Sequence, residues 1–329
     1  MVAIGLSAGG VARVRFALSC LWEVMAGVRV LRDPGRHAIH LPWANRVRPR
    51  LAEAGLLDPD AGLLGLLGQL VPPAPGYLAD FLTPPPAGLA PDLDQELAVL
   101  CATPADTVRA QLDLCPGPRP AAVAALYADP AAGLGRLAEE ISTYWRLAVA
   151  RDWPRIRAVL DAEVFHRARR LAEDGAAGLL NDLHERVRWE GDALLISQRH
   201  CDAPDVPDGS GLVLVPSVFV WPSVLSVAAG DVPQLAYPAR GVGGLWECPA
   251  EAPDALGAVL GRGRARLLAA LDAPRSTTEL ARRTGLSPAG VSQHLTALRA
   301  AGLVVTHRQG RSLLSSRTAV AEALLGASA

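Results

Sequence analysis

The segment from residue 253 to residue 329 contains, in order, the start and stop signals of short helices. Ser276 and Glu279 have the spacing of a capping box, in which the Ser hydroxyl accepts the Glu amide and the carboxylate reaches back to the N-cap amide. This pattern predicts a helix over residues 277–284. Gly285 follows in the position of a left-handed C-terminal cap, a conformation that glycine adopts without strain. A tight turn is therefore expected after this helix.

A second helix is predicted directly after the turn, over residues 288–301. Ser287 is of a type preferred at the N-cap, and Pro288 fits the first helical position, where its missing amide proton leaves no hydrogen bond unmade. Gly302 ends the helix. The apolar residues recur at helical spacing and are expected to face inward: Val291, Leu295 and Leu298.

A basic hairpin is predicted next, with strands over residues 303–307 and 312–315 around a turn at residues 308–311. Arg308 and Arg311 lie on the shoulders of the turn. Any two amphipathic helices joined by a glycine would share part of this pattern. The full order of caps, glycine stops and basic hairpin favours a winged helix-turn-helix.

The outward residues of the second helix have the chemistry of a major-groove reader. They are small at the N-terminal tip, which allows close approach, and polar further on. Gln pairs with adenine, Ser with several base edges and Arg with guanine or phosphate, while the hairpin arginines suit a phosphate or a minor groove. The predicted DNA-contacting residues are Ser287, Ala289, Gly290, Ser292, Gln293, His294, Thr296, Arg299, Arg308 and Arg311. For His294, at the border of the apolar face, a partly buried hydrogen-bonding role is the alternative.

Charge and aromatic residues are distributed unevenly along the chain. The formal net charge is −1, but the segment from residue 253 onward has ten Arg against four acidic residues, which leaves −7 for everything before it. A basic end on an acidic body suggests a polyanion-binding module joined to a different kind of domain. All aromatic residues lie at or before Trp246, so the basic segment has no rings on which unpaired bases could stack. Duplex DNA is therefore favoured over single strands or RNA.

Residues 278–288 and 291–304 resemble the ArsR-type winged helix-turn-helix regulators, with a specific S-x-H-L-x-x-L-R-x-A-G-L-V pattern. The resemblance implies a dimer that docks two recognition helices in successive major grooves, usually as a repressor released by a signal. Two departures matter. Residues 278–283 lack the Cys pair of the metal-sensing members, and residues 261–264 read Gly-Arg-Gly-Arg where the family more often has Asp-Pro-Thr-Arg. Thiolate sensing of a metal is therefore not expected, and the metal-site prediction is none.

Residues 1–252 are predicted to form an α+β domain, mostly helical with a small sheet near its end, joined to the winged helix by a linker at residues 248–253. This part resembles an uncharacterised domain of such regulators from GC-rich bacteria, which names no activity. The predicted helices cover residues 19–31, 93–100, 121–127, 134–151 and 153–174. The predicted strands cover residues 186–189, 193–196, 212–215, 218–221 and 235–237.

Several patterns in this domain could indicate a catalytic or ligand-binding site, and a structural role is favoured for each. Residues 5–9 match G-x-S-x-G, but only four residues precede them, too few for the sheet that a nucleophile elbow needs. Residues 241–244 lack the spacing of a dinucleotide loop and read as a turn. The Trp- and Arg-rich stretch of residues 144–170 fits either an organic-anion pocket or a core helix with paired arginines. Histidines that could ligate a metal have no fixed geometry and read as ordinary residues: His37, His40, His166, His184 and, beside Cys201, His200.

Five scattered cysteines without a C-x-x-C pair predict reduced thiols and a cytoplasmic protein. The longest apolar run, residues 211–230, contains two prolines and predicts two strands rather than a membrane span. The resulting expectation is a homodimeric regulator of double-stranded DNA without cofactor or enzymatic activity, with a possible small-molecule effector in the N-terminal domain. Two alternatives stay open: an enzyme tethered by the winged helix, and a winged helix used only for protein contacts.

Overall fold

The computed structural model describes residues 2–58, 62–63, 65–73, 76–197, 211–227, 232–246, 254–309 and 312–326. The chain divides into two compact units, Met1–Trp246 and Glu247–Ala329. They are called the N-terminal unit and the C-terminal unit below, and each is described by itself. Within the described residues, no helix has both the length and the apolar character needed to cross a membrane.

The N-terminal unit is mixed α and β, with helices in the majority, as the sequence predicts. Its helices are α1 (Ala8–Val11), α2 (Cys20–Arg32), α3 (Leu41–Glu53), α4 (Gly65–Leu70), α5 (Leu93–Cys101), α6 (Ala105–Asp113), α7 (Ala121–Ala128), α8 (Pro130–Tyr144) and α9 (Trp153–Asn181). Its strands are β1 (Val2–Gly5), β2 (Val14–Phe16), β3 (Leu57–Asp58), β4 (Gly62–Leu63), β5 (Val187–Glu190), β6 (Ala193–Ile196), β7 (Leu212–Ser217), β8 (Leu225–Val227) and β9 (Gln234–Pro238).

Helix α2 is the centre of the N-terminal unit. Its spacing of apolar residues predicts one buried face, but every residue from Cys20 to Leu31 is buried, so the helix is surrounded on all sides. The neighbouring sheet has the strand order β2-β7-β9-β8, with β2, β7 and β9 parallel and β8 antiparallel. Parallel strands covered by helices are buried on both faces, which explains why all six residues of β7 are buried.

A second sheet of the N-terminal unit is antiparallel in the order β1-β6-β5, and β3 and β4 form a separate antiparallel pair. The predicted hairpin of β5 and β6 is confirmed, with Gly191 at φ 64° in its turn. Strand β1 adds to the free edge of β6. The inner side chains of this sheet pack against the last turns of α9 in a separate apolar cluster that includes Ile4, Leu179 and Leu194.

Three boundary predictions in the N-terminal unit are wrong. Residues 218–221 form a turn rather than a strand, because the carboxylate of Glu23 accepts the amides of Val218 and Phe219 and takes them out of the sheet. The helix predicted over residues 134–151 ends at Tyr144 and continues as a π-helical turn. The helix that begins at Trp153 runs on to Asn181 across a break at Gly175, where φ is 68°.

The C-terminal unit has the elements of a winged helix-turn-helix. Its helices are α10 (Asp254–Leu260), α11 (Arg262–Ala270), α12 (Thr277–Thr284), α13 (Pro288–Ala300) and α14 (Ala319–Gly326), and its strands are β10 (Arg275–Ser276), β11 (Val304–Gln309) and β12 (Ser312–Arg317). The strands form an antiparallel sheet in the order β10-β12-β11. The two predicted helices and the hairpin are confirmed. Strand β10 and helix α14 were not predicted.

Candidate nucleic-acid interface

Helix α12 begins and ends through local contacts. The Ser276 hydroxyl accepts the amide of Glu279 at 3.3 Å, as the capping pattern predicts. The carboxylate of Glu279 accepts a hydrogen bond from the Arg275 guanidinium. At the other end Gly285 takes the left-handed conformation, with φ 71°, and its amide donates to the carbonyl of Ala281 at 3.0 Å. This turn sets the direction in which the next helix leaves.

Helix α13 is held in the unit by its predicted apolar face. The Ser287 hydroxyl accepts the amide of Gly290 at 3.1 Å, and Pro288 occupies the first turn. Val291, Leu295 and Leu298 are buried in the core of the C-terminal unit. The opposite face is open to solvent, with Gly290 partly buried and the following predicted contact residues exposed: Ser287, Ala289, Ser292, Gln293, Thr296 and Arg299.

Two exposed side chains on α13, Thr296 and Arg299, are hydrogen-bonded to each other. The hydroxyl of Thr296 donates to the carbonyl of Ser292 at 3.0 Å and accepts from the Arg299 guanidinium at 3.2 Å. The hydroxyl proton of Thr296 is therefore engaged by the helix backbone. Arg299 is oriented along the helix surface and keeps further donors to offer, since a guanidinium carries five N–H groups.

His294 does not lie with the exposed residues. It is partly buried, and its ring Nε2 lies against α11 at Gly263, where a Cβ would be only 2.8 Å from that nitrogen. The partial burial agrees with the alternative considered for His294, while the contact that the structure gives its ring is with Gly263 rather than a hydrogen bond.

The paired strands of the β11–β12 hairpin are longer than predicted. Gln309 pairs with Ser312, so β11 extends past its predicted end at residue 307, and Arg308 lies in β11 opposite Leu313 rather than in the turn. Both Arg308 and Leu313 are exposed near the end of the hairpin. Arg311, the other predicted contact on the hairpin, lies outside the described residues.

Some arginines of the C-terminal unit maintain the fold instead of facing solvent. Arg317 donates to the carbonyls of Leu268 and Ala269 at 2.7 and 2.6 Å and so satisfies the C-terminal end of α11. Arg275 is buried and pairs with Asp272 and with the glutamate of α12. The net charge of the segment therefore overstates the cations open to a polyanion. The exposed arginines in the described part of the unit are Arg262, Arg264, Arg266, Arg282, Arg283, Arg299 and Arg308.

Ser7, in the G-x-S-x-G match, does have a strand before it and a helix after it, contrary to expectation. A nucleophile elbow, however, holds its serine in a strained turn, and among the described residues every positive φ belongs to a glycine. The Ser7 hydroxyl accepts the amide of Gly10 at 3.3 Å, which is the role of a helix cap. The match at residues 241–244 is a 3₁₀ turn, as predicted.

The histidines of the N-terminal unit take part in packing. His37 Nδ1 lies 2.7 Å from the carbonyl of Trp221. His40 Nδ1 accepts from the Trp246 indole at 2.9 Å, and burial lowers the pKa of His40 to about 3. In the described ranges, no group of three or more His, Cys, Asp and Glu side chains is placed to hold a metal ion. His200 and Cys201 lie outside those ranges.

The arginine-rich face of α9 is neutralised by acidic residues on the same helix. Four of its arginines pair with an acidic residue one turn away at i−4 or i+4: Arg157 with Asp161, Arg167 with Glu163, Arg169 with Glu173 and Arg170 with Asp174. The nearby Trp145 and Trp153 rings pack edge to face, with centroids 4.9 Å apart. These contacts favour a core helix with paired arginines over an anion pocket.

Comparison with protein families matches residues 264–307 to a helix-turn-helix domain. The match begins in α11 and ends in β11, so it covers the two helices and the turn described above. Searches of curated proteins and of solved structures gave no match to the chain. The C-terminal unit therefore contains a helix-turn-helix domain, the class of module that binds DNA and is typical of transcription regulators.

Proposed function

We propose that this protein is a sequence-specific regulator of transcription that docks α13 in the major groove of double-stranded DNA. The observation that carries the proposal is the helix-turn-helix domain at residues 264–307, whose second helix has one buried apolar face and one exposed polar face. Its N-terminal tip is formed by Ala289 and Gly290, which allow the backbone to approach base edges. Gln293 and Arg299 follow as the base-reading and phosphate-binding side chains.

The β11–β12 hairpin is the proposed wing. Arg308, near the end of β11, and the predicted contact Arg311 are assigned to a flanking phosphate or to the adjacent minor groove. Such contacts raise affinity for all DNA sequences and weaken as salt releases counterions. The wing thus supplies affinity, and α13 supplies sequence preference.

We propose further that the protein acts as a homodimer and as an ArsR-like cytoplasmic repressor. Val259 on α10 and Val320 on α14 are 79% and 61% exposed, and we assign them to a surface that a second copy of the chain covers. The N-terminal unit is the proposed receiver of a small-molecule signal, and no catalytic step is assigned to either unit. Sedimentation of the Val259→Glu and Val320→Glu variants as dimers would contradict this interface.

The test of DNA binding uses the full chain and genomic fragments that the wild-type protein retains. Gln293→Ala is expected to reduce the preference for retained over random fragments. Arg308→Ala is expected to weaken binding to both and to lower the slope of log K against log salt by about one. Arg169→Ala removes the same charge from the N-terminal unit and should change neither quantity. No detectable binding by the wild type, or equal effects of all three variants, would contradict the proposal.

A further inference from the structure

Two glycines at the start of α11 have different reasons to be glycine. Gly261 has φ 83° and ends α10, so its backbone conformation requires glycine. Gly263 lies in the first turn of the helix without a positive φ, so its backbone conformation does not require glycine. A Cβ there would lie 2.8 Å from Nε2 of His294 and 3.4 Å from both neighbouring ring carbons. The imidazole of His294 therefore occupies the volume that a side chain at position 263 would need.

This contact connects the first turn of α11 with the middle of α13. His294 lies between Gln293, which is exposed, and Leu295, which is buried in the core. Because a helix turns by about 100° per residue, the direction of one side chain fixes the directions of its neighbours. An imidazole held against Gly263 thus limits rotation of α13 about its own axis. The same rotation would change where Gln293 points.

We propose that His294 is a positioning residue: its imidazole, seated in the space left open at Gly263, sets the rotation of α13 and thereby the presentation of Gln293 to DNA. The inference rests on the proposed DNA-binding function, and it removes His294 from the predicted base contacts. An imidazole whose ring tip is packed against another helix is not directed into a groove.

The test is a double-mutant cycle in the full chain. Gly263→Ala is expected to lower affinity for the retained genomic fragments about tenfold, and to lower affinity for random DNA less, because the new Cβ displaces the ring. His294→Ala removes the ring. When the two changes are combined, the Cβ introduced by Gly263→Ala enters the vacated space, so the double variant should bind no worse than His294→Ala alone. Gly257→Ala is the matched control, since a Cβ there would meet only Arg262 Cγ at 3.7 Å.

Equal loss from Gly263→Ala with and without His294 would overturn the inference. A change of preferred base caused by His294→Ala but not by Gly263→Ala would also overturn it, since that result identifies a base contact. Hydrogen exchange of the C-terminal unit without DNA separates the two proposals. Gly263→Ala should lower amide protection in α11 and α13 only when His294 is present, whether or not the protein binds DNA. If amide protection depends on His294 in this way but the wild type does not bind DNA, the proposed function is refuted, and the proposed contact between His294 and Gly263 stands.

Discussion

The two units differ in what supports the starts of their helices: local caps occur in both, such as Ser19 at the start of α2, and the N-terminal unit adds glutamates from far along the chain. In the C-terminal unit the caps are local: Ser276 and Ser287 each accept an amide three residues ahead. In the N-terminal unit several amides at helix starts and turns, which have no backbone acceptor within the helix, donate to glutamates far along the chain. Glu96 accepts the amides of Cys20 and Leu21 at 2.6 and 3.1 Å at the start of α2. Glu140 does the same for Leu66 and Leu67 at the start of α4, at 3.1 and 2.8 Å.

The difference separates a module whose helix starts rely on local caps from a unit in which some helix starts also depend on the tertiary structure. A cap three residues away forms as soon as the helix does. A glutamate some seventy or more residues away reaches its amides only when the surrounding core has assembled, and the carboxyl group of Glu96 is then removed from water. The N-terminal unit should therefore respond strongly to changes at these carboxylates, and the C-terminal unit weakly to the loss of a single cap.

The largest effect is expected at Glu23, which is fully buried and accepts the amides of Val218 and Phe219 at 2.9 and 3.4 Å. Glu23→Ala leaves both donors buried without a partner and opens a cavity, so it should lower the free energy of unfolding of the N-terminal unit by about 3–5 kcal/mol. Denaturant unfolding followed by tryptophan fluorescence measures this, because all seven tryptophans lie at or before Trp246.

Glu173→Ala is the matched control, because Glu173 is half-exposed and pairs with Arg169 on the surface of α9. An exposed ion pair contributes about 0–1 kcal/mol, so this variant should unfold almost as the wild type does. If Glu23→Ala were no more destabilising than the control, the buried carboxylate would not be a major support of the unit.

The same comparison explains how much of the fold the sequence could predict. Helix α5 was predicted almost to the residue, and it starts with a complete local capping box between Asp92 and Gln95. The strand predicted over residues 218–221 failed because Glu23, remote in sequence, determines that turn. Strand β2 was missed because its three residues pair in parallel with β7, a partner almost two hundred residues away. Long-range pairing leaves little trace in a local pattern.

In the candidate interface, the parts set by local patterns were again the predictable ones. The buried and exposed faces of α13 follow from the spacing of Val291, Leu295 and Leu298. The roles of Arg275 and Arg317 could not be predicted, because an internal arginine and a DNA-binding arginine look alike in a sequence. The contact of His294 with Gly263 could not be predicted, although the sequence places His294 at the border of the apolar face, because the contact joins residues about thirty positions apart on two helices.

An intermediate effect is expected from pH. Burial raises the pKa of Glu23 to about 8 and that of Glu96 to about 7, both from about 4.5. At a pH above 4.5 and below these raised pKa values, the folded N-terminal unit holds protons that the unfolded chain has released. The free energy of unfolding is therefore lost as the pH rises through the folded pKa values. The free energy of unfolding should fall by roughly 2 kcal/mol between about pH 7 and about pH 8.5. In that range the buried His40 is neutral in the folded state and mostly neutral in the unfolded chain, whose imidazole pKa is about 6.5, so it adds little slope.

Unfolding measured at several pH values, again by tryptophan fluorescence, checks the sign. The Glu23→Gln and Glu96→Gln double variant keeps neutral acceptors at both positions and should lose most of the slope. A wild-type stability that rises over this range would show that both carboxyls are already ionised in the folded protein.

The smallest effect is expected from Ser287→Ala in the C-terminal unit. Loss of this cap leaves the Gly290 amide to water and should cost about 1 kcal/mol, which hydrogen exchange of α13 would report as faster exchange of its first turn. Tryptophan fluorescence of the N-terminal unit should stay unchanged.

Asp129→Ala removes a similar local cap, the acceptor of the Ala132 amide at 3.1 Å, from α8 of the N-terminal unit and offers the sharper comparison. If both cap variants change stability by similar amounts while Glu23→Ala changes it several times more, the contrast lies in the long-range carboxylates. If Asp129→Ala proves as damaging as Glu23→Ala, the N-terminal unit is sensitive everywhere, and the distinction between local and distant caps does not hold.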